Sequence, residues 1–182
     1  MSTRAGRSAI AVVLTVSDGV AAGVRDDVSG DALASRLGDL GWVVERVVVS
    51  DERDRIAAAI AAGTERGRLV VTTGGTGLTP RDVTPEATAD AVERLVPGLA
   101  EAMRAAGRAT TPFADLGRGL VGTRGDALVV NLPGSPRGAV ESLAAIEPAI
   151  PHALDTLAGP FDHDAAARRS AGAPPHDPVT GS

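Results

Sequence analysis

Short runs of β-branched residues alternate along the sequence with longer, alanine-rich segments whose apolar residues recur at helical spacing. This alternation predicts strands at residues 8–16, 43–49 and 69–73, each followed by a helical segment. Two further strands are predicted at residues 120–123 and 127–132, around a tight turn. Because strands that alternate with helices build βαβ units, the sequence predicts a three-layer α/β fold, with a doubly wound, mostly parallel sheet flanked by helices.

The helical segments carry start and stop signals. A helix is predicted at residues 29–40, and Asp51 and Thr84 stand where the N-caps of two further helices belong. The last helical segment, residues 139–157, is expected to break near Pro148, because proline cannot donate the helical hydrogen bond.

The chain of 182 residues has room for one α/β domain, which we expect at residues 8–160. Residues 1–7 are expected to be a flexible N-terminus. Residues 161–182 combine proline, glycine and scattered charge without apolar periodicity, which predicts a disordered tail. His163 and His176 in this tail are too far apart to suggest a metal site.

Composition excludes several classes of chemistry. The chain contains no cysteine, and all 18 basic residues are arginine, so thiolate nucleophiles, Schiff-base lysines and the P-loop lysine are ruled out. A net charge of −5 and only three aromatic residues argue against a nucleic-acid-binding protein. No segment approaches the ~20 apolar residues of a membrane helix or resembles a signal peptide, so we expect a cytoplasmic protein that does not bind membranes.

Four loops are candidates for ligand binding, because doubly wound sheets bind ligands at the carboxyl ends of their strands. They are residues 15–18, 50–52, 72–77 and 131–136, and all four are rich in hydroxyls, glycines or carboxylates. The other ends of the predicted strands show no such concentration.

The third of these loops has the composition of an anion-binding segment. Gly74, Gly75 and Gly77 allow the backbone to approach a ligand closely, and successive amides of such a loop can surround an anion. The loop matches neither known glycine fingerprint, because Thr79-Pro80 stands where a dinucleotide loop needs its third glycine and the P-loop lysine is missing. A glycine-rich connector remains an equally good interpretation of composition alone.

Two acidic residues beside these loops favour a phosphate-binding function that includes a metal ion. Asp82 follows the glycine-rich segment, where a carboxylate would repel phosphate unless a divalent cation lay between them. Asp51 occupies a neighbouring loop, although a role as an N-cap alone would also explain it. Together they suggest metal-assisted phosphoryl or nucleotidyl transfer.

Longer motifs carry a resemblance to a known family. Residues 69–88, LVVTTGGTGLTPRDVTPEAT, and residues 129–141, VVNLPGSPRGAVE, are similar to the signature segments of the molybdopterin adenylyltransferase family. This family includes MogA-type and MoaB-type proteins and the G domain of gephyrin. Residues 16–18, 27–30 and 50–52 extend the resemblance in the family's order.

The resemblance implies Mg²⁺-dependent transfer of an adenylyl group from ATP to molybdopterin, with Asp51 and Asp82 as the catalytic, metal-binding acidic pair. It assigns nucleotide and phosphate binding to Gly74, Gly75, Thr76, Gly77, Asn131, Pro133, Gly134 and Ser135. It assigns pterin binding to Ser17, Asp18 and Ser29.

The resemblance also implies a homotrimer and possible transfer of the product to a molybdate-insertion enzyme. Leu95, Leu99 and Met103 are a candidate trimer contact, although their periodicity equally allows them to face their own sheet. The chain departs from the family at Gly117, where many relatives have serine, and at Asp126, where relatives often have a neutral side chain.

Two functions remain open. The acidic pair favours an active adenylyltransferase, but a non-catalytic, MoaB-like paralogue that binds molybdopterin as a carrier or oligomerisation module would share almost every motif. A nicotinamide-dependent dehydrogenase is disfavoured by the missing third glycine.

Overall fold

The structure of the protein, a computed structural model, describes residues 9–159. The predicted flexible N-terminus at residues 1–7 and the predicted tail at 161–182, with His163 and His176, lie outside the described residues.

Six strands and seven α-helices make up the described part of the chain. The strands are β1 (Ile10–Val16), β2 (Val43–Val49), β3 (Leu69–Thr73), β4 (Arg94–Leu95), β5 (Val121–Arg124) and β6 (Ala127–Leu132). The helices are α1 (Asp18–Ala21), α2 (Val28–Asp39), α3 (Arg53–Arg66), α4 (Thr84–Ala91), α5 (Pro97–Arg108), α6 (Pro136–Ile146) and α7 (Ile150–Leu157). Two 3-10 helices, Pro112–Leu116 and Glu147–Ala149, complete the set.

The six strands form one sheet in the order β2-β1-β3-β6-β5-β4. β2, β1, β3 and β6 are parallel to one another, whereas β5 and β4 are antiparallel to their neighbours. β5 and β6 form the hairpin that the sequence predicts, and Gly125 in its turn adopts a left-handed φ of 56°. The short edge strand β4 was not predicted, because two residues carry no periodicity.

Helices cover both faces of the sheet, which confirms the doubly wound, three-layer α/β prediction. On one face, Leu33 of α2 and Leu143 of α6 pack with Val13 and Val71 of the sheet. On the other face, Ile56 and Ile60 of α3 pack against the alternate residues of the same strands. The alternation of neighbouring strand residues between the two cores explains why the central strands β1, β3 and β6 are buried on both faces.

Two predicted helix starts are wrong. The N-cap of α3 is Glu52 rather than Asp51, whose carboxylate instead accepts a hydrogen bond from the backbone of Asp18. The N-cap of α4 is Val83, and Thr84 is already helical. In both cases, tertiary contacts at the end of the sheet engage the polar side chain that the sequence assigns to a local cap.

Two other helical predictions were closer to the structure. The predicted helix at 29–40 is α2, which begins one residue earlier and is capped by Asp27, whose carboxylate accepts the amide of Gly30 at 2.9 Å. The predicted break near Pro148 is the 3-10 helix Glu147–Ala149. The one-turn helix α1, capped by Ser17, was not predicted.

Two of the three residues of the candidate trimer contact pack against their own sheet. Met103 is only 6% exposed and belongs to the core of its own sheet, against which Leu99 is also packed. Leu95 of β4 is exposed. Within residues 9–159, no helix is long and apolar enough to cross a membrane.

Candidate active site

The predicted ligand-binding loops meet at the carboxyl ends of β1, β2, β3 and β6, because these strands are parallel. The loop that joins β3 to α4, residues 74–83, lies at the centre and is here called the glycine loop. Cavities of about 760 and 730 Å³ open on either side of it.

The smaller cavity is the polar cavity, lined by Ser17, Asp27, Ser29, Asp51, Gly74 and Gly75 among others. It lies between the start of α2 and the glycine loop. Of the predicted pterin-binding residues, Ser17 and Ser29 line this cavity. Asp18 does not line it but hydrogen-bonds with Asp51, which does. Gly134, which the resemblance groups with the nucleotide, also lines the polar cavity.

The larger cavity is the apolar cavity, lined by Thr76, Gly77, Met103, Phe113, Asn131 and Ser135 among others. Pro133 completes the predicted nucleotide-binding residues that line it. Its walls come from the glycine loop, α5, the 3-10 helix at 112–116 and α6. Because these segments are distant in sequence, the cavity could not have been predicted from local patterns.

The backbone of the glycine loop requires glycine at its first two positions. Gly74 and Gly75 have positive φ angles of 101° and 63°. A Cβ atom on Gly74 would lie 2.3 Å from the carbonyl oxygen of Val16, and one on Gly75 would lie 2.4 Å from the hydroxyl of Thr84. The glycines therefore let the loop lie directly against β1 and the start of α4.

Threonine hydroxyls fix the loops at the end of the sheet. Thr84 donates its hydroxyl to the carbonyl of Gly74 at 2.9 Å and its amide to the carbonyl of Gly75 at 3.0 Å. Thr73 donates its hydroxyl to the carbonyl of Pro133 at 2.7 Å, which ties the end of β3 to the loop after β6. The loop between the two cavities is therefore held at both ends.

Asp51 and Asp18 form a reciprocal pair that joins the ends of β1 and β2. The amide of Asp18 donates to Oδ2 of Asp51 at 2.8 Å, and the amide of Asp51 donates to Oδ1 of Asp18 at 3.0 Å. Arg81 of the glycine loop forms an ion pair with Oδ2 of Asp18. The hydrogen bond from the Asp51 backbone, followed by that from Arg81, lowers the pKa of Asp18, so its carboxylate is ionised at neutral pH.

Asp82 belongs to the glycine loop and lines neither cavity. Its Oδ2 accepts the amide of Thr79 at 2.8 Å. Partial burial acts to raise the pKa of Asp82, but hydrogen bonds from Thr79 and the backbone of Gly77, together with the charge of Arg118, lower it overall. The carboxylate therefore carries a negative charge at neutral pH.

Asn131 has protein partners for both of its side-chain polar atoms. Its Nδ2 donates to the hydroxyls of Thr72 at 3.0 Å and Thr88 at 2.8 Å, and its Oδ1 accepts the amide of Leu120 at 3.1 Å. The side chain is 1% exposed. Asn131 thus ties β3 and β6 to α4 beneath the apolar cavity, a structural role that the sequence does not reveal.

The donor set suits Mg²⁺ only in company with a ligand. Within the part of the chain that the structure describes, no group of three or more acidic or histidine side chains could hold a metal ion. Asp51 and Asp82 each use Oδ2 for a protein amide, and Oδ1 of Asp51 faces Gly75 of the loop. Mg²⁺ is commonly held by one or two carboxylates together with substrate phosphates, so these carboxylates alone do not complete a metal site.

Three charged residues that the sequence patterns did not single out form ion pairs and hydrogen bonds around the glycine loop. Arg81 pairs with Asp18, and Arg118 binds the glycine loop and Glu86 of α4. Arg81 and Glu86 lie inside the 69–88 motif, so the motif could have identified both residues as candidates. Arg118 reaches the glycine loop only because the segment before β5 packs against that loop, and no local sequence pattern indicates this contact.

Comparisons with known proteins agree with this arrangement of loops. A family model described as a probable molybdopterin binding domain matches residues 12–152. A molybdopterin adenylyltransferase of Helicobacter pylori strain 26695 is 38% identical over 156 residues, which cover 82% of this chain and 88% of that protein.

Two solved structures are similar in both fold and sequence. The molybdopterin biosynthesis Mog protein from Mycobacterium ulcerans has a TM-score of 0.77 and 38% identity, covering 83% of this chain and 99% of that one. The molybdopterin biosynthesis enzyme MoaB from Thermus thermophilus has a TM-score of 0.74 and 43% identity, covering 84% and 99%. The chain belongs to the family of molybdopterin-binding domains involved in molybdenum cofactor biosynthesis.

Proposed function

We propose that this protein is a molybdopterin adenylyltransferase, which transfers an adenylyl group from ATP to molybdopterin and releases pyrophosphate. The observation that carries the proposal is the meeting of two cavities of substrate size at a single glycine loop. A transferase for two anionic substrates needs two binding spaces and a shared region where the phosphates meet. The 38% identity with the molybdopterin adenylyltransferase of Helicobacter pylori supports the same reaction.

We assign the nucleotide to the apolar cavity and the pterin to the polar cavity. Thr76, Gly77 and Ser135 line the apolar cavity, where a purine ring could be buried. Ser17 and Ser29 supply hydroxyls to the polar cavity. Gly74 and Gly75 border the polar side, so the glycine loop contributes backbone to both cavities.

The reaction requires no covalent protein nucleophile. A phosphate oxygen of molybdopterin attacks the α-phosphorus of ATP, and the bond from that phosphorus to its bridging oxygen breaks as pyrophosphate leaves. The protein aligns the two phosphates and neutralises their charge. We assign part of that neutralisation to backbone amides of the glycine loop and to the guanidinium of Arg81, which pairs with Asp18.

In this proposal, Asp51 and Asp82 hold a Mg²⁺ ion together with the phosphates. When bound, the ion neutralises phosphate charge. Asp51 is positioned by Asp18 and Asp82 by the glycine loop, so both carboxylates are oriented before the substrates arrive.

Three further properties follow from the family resemblance and belong to the same proposal. We expect a homotrimer, a cytoplasmic location and transfer of the adenylylated product to a molybdate-insertion enzyme. Leu95 of β4 is the one residue of the predicted trimer contact that remains exposed on the described surface.

A second candidate function is a non-catalytic, MoaB-like protein that binds molybdopterin as a carrier or oligomerisation module. The 43% identity with the Thermus thermophilus MoaB, higher than the 38% identity with the adenylyltransferase, favours this alternative. Retention of Asp51 and Asp82 at the end of the sheet favours the enzyme.

An assay of pyrophosphate release separates the two functions. The purified protein is incubated with Mg²⁺, ATP and molybdopterin, with omission of each component in turn as a control. We expect release only when all are present. Binding of molybdopterin without release of pyrophosphate would support the carrier and overturn the enzyme.

A further inference from the structure

Arg118 donates hydrogen bonds to three carbonyl groups of the glycine loop. Its backbone amide donates to the carbonyl of Thr76 at 3.0 Å, and its Nε donates to the carbonyl of Gly77 at 2.8 Å. One terminal nitrogen, Nη2, donates to the carbonyl of Asp82. A single residue therefore binds three carbonyl groups along the loop.

These three bonds set the direction of the peptide groups. In a planar trans peptide, the carbonyl and the following amide point in opposite directions. Because the carbonyls of Thr76 and Gly77 face Arg118, the amides of Gly77 and Leu78 face away from it. The backbone of Gly77 accordingly hydrogen-bonds the Asp82 carboxylate on that other side.

Glu86 in the first turn of α4 holds the guanidinium itself. Nη1 of Arg118 pairs with Oε1 of Glu86, and Nη2 lies 3.4 Å from Oε2. The hydrogen bond from Arg118 lowers the pKa of Glu86, so this carboxylate is ionised at neutral pH. The guanidinium thus joins a fixed helix to a loop that has little secondary structure of its own.

We propose that Arg118 is a positioning residue for the transfer reaction, which sets the orientation of the glycine loop and of Asp82 toward the phosphates. The inference rests on the proposed function. It requires the planar, five-donor geometry of arginine, because the single ammonium group of lysine cannot satisfy the Gly77 and Asp82 carbonyls and Glu86 together. Arg118 acts through the loop and is not itself assigned a substrate contact.

The test uses Arg118→Lys with Arg36→Lys as its matched control. Arg36 pairs with Glu147, and neither residue lines a cavity. The side chains of that pair are 37% and 27% exposed, against 34% and 40% for Arg118 and Glu86. Thermal melts, the KM for ATP and kcat are measured for both variants. We expect Arg118→Lys to lower kcat/KM by about tenfold or more, while Arg36→Lys stays within about twofold of the wild type at a similar melting temperature.

Amide hydrogen exchange provides a readout that does not depend on the reaction. We expect faster exchange at residues 76–83 in Arg118→Lys and unchanged exchange there in Arg36→Lys. If the wild-type protein releases no pyrophosphate, the proposed function fails and exchange alone decides the role of Arg118. Unchanged exchange in the loop would then overturn the inference, as would wild-type kcat/KM in an active enzyme.

Glu86→Gln keeps the inference testable if Arg118→Lys does not fold. This variant retains the arginine and its three carbonyl bonds but removes the charge that holds the guanidinium. We expect a smaller loss, about two- to fivefold in kcat/KM, with faster exchange in the loop. Wild-type values for both measurements would overturn the inference.

Discussion

At the scale of single residues, backbone amides hold the acidic groups of the candidate site. Asp51 binds the amide of Asp18, 33 positions away in the sequence, and Asp82 binds that of Thr79. The sequence singled out Asp51 and Asp82 as candidates, because carboxylates beside a glycine-rich loop of this kind require explanation. It could not show the partner of Asp51, since that contact depends on the neighbouring positions of β1 and β2.

Asp82→Asn should separate a structural from a functional role for this carboxylate. Asparagine keeps a side-chain oxygen for the Thr79 amide, so the free energy of unfolding should change by only ~0.5 kcal/mol. Loss of one negative charge beside the phosphates should lower turnover about a hundredfold or more, equivalent to ~3 kcal/mol. A thermal melt without ligand and an assay of pyrophosphate release measure the two effects.

Asp90→Asn is the control for this prediction. Asp90 also has a lowered pKa, caused by its hydrogen bonds from Arg53, but it lies on α4, outside the glycine loop. The turnover of the Asp90→Asn variant should remain within about twofold of the wild type. Normal turnover in Asp82→Asn would remove Asp82 from the mechanism.

Gly117→Ser should raise turnover if the serine of the relatives orients a substrate. Gly117 lines the apolar cavity with φ −70° and ψ 121°, angles that serine adopts readily. The new Cβ would lie 3.2 Å from the carbonyl oxygen of Ala114, so we expect a stability change within about 1 kcal/mol. We expect turnover to rise by up to about tenfold in steady-state kinetics.

Gly117→Ala supplies the Cβ without the hydroxyl and should leave turnover near that of the wild type. An equal gain in the serine and alanine variants would show that the hydroxyl has no role in orienting a substrate.

The lowered pKa of Asp18 predicts a dependence of stability on pH. A carboxylate whose folded pKa lies below its unfolded value stabilises the fold above the unfolded value, and this contribution is lost as pH falls through the folded pKa. Asp18→Asn should therefore melt below the wild type at pH 7, and the difference should shrink toward pH ~3. Thermal melts across this range check the prediction; a constant difference would contradict it.

At the scale of elements, strands were predicted more accurately than helix starts. The bounds of β2 and β3 agree with the sequence prediction, because dense runs of β-branched residues mark both strands. The predicted caps at Asp51 and Thr84 failed because both side chains bind neighbouring loops. Polar residues at the carboxyl edge of such a sheet therefore satisfy tertiary partners first.

Gly74→Ala tests the close approach of the glycine loop to β1. The positive φ of 101° and the 2.3 Å approach to the Val16 carbonyl oxygen leave no space for a methyl group. We expect a loss of about 2–4 kcal/mol in the free energy of unfolding, together with loss of turnover. Denaturant unfolding measures the change.

Gly38→Ala is the matched control. Gly38 is helical, and a Cβ there would meet no atom within 4 Å. This variant should be neutral or more stable by up to ~1 kcal/mol. Equal stability of the two alanine variants would contradict the proposed constraint on the glycine loop.

At the scale of the whole molecule, the sequence predicted which loops meet but not the space that they enclose. The parallel strands bring the four predicted loops to one edge, as the βαβ pattern requires. The apolar cavity depends on α5, α6 and the 3-10 helix at 112–116 as well, whose mutual positions have no local signature. The periodicity of α5 also did not decide whether Met103 faces a partner or its own sheet, and the structure shows it in the core of its own sheet.

Assembly can be tested without reference to activity. We expect light scattering on the full chain, whose mass is 18.3 kDa, to report a trimer at micromolar concentration. Leu95→Arg, at the exposed residue of β4, should reduce the measured mass if that edge is the contact. A wild-type protein that remains a monomer would contradict the expected trimer.

The most direct test of the account is the fate of isotopically labelled ATP. With label in the α-phosphate, Mg²⁺ and molybdopterin, the account predicts that label enters the pterin product as an adenylyl group. With label in the γ-phosphate, it predicts that all released label appears in pyrophosphate. Transfer of the γ-label to the pterin, or tight pterin binding with no transfer from either position, would contradict the proposal that this protein is an adenylyltransferase.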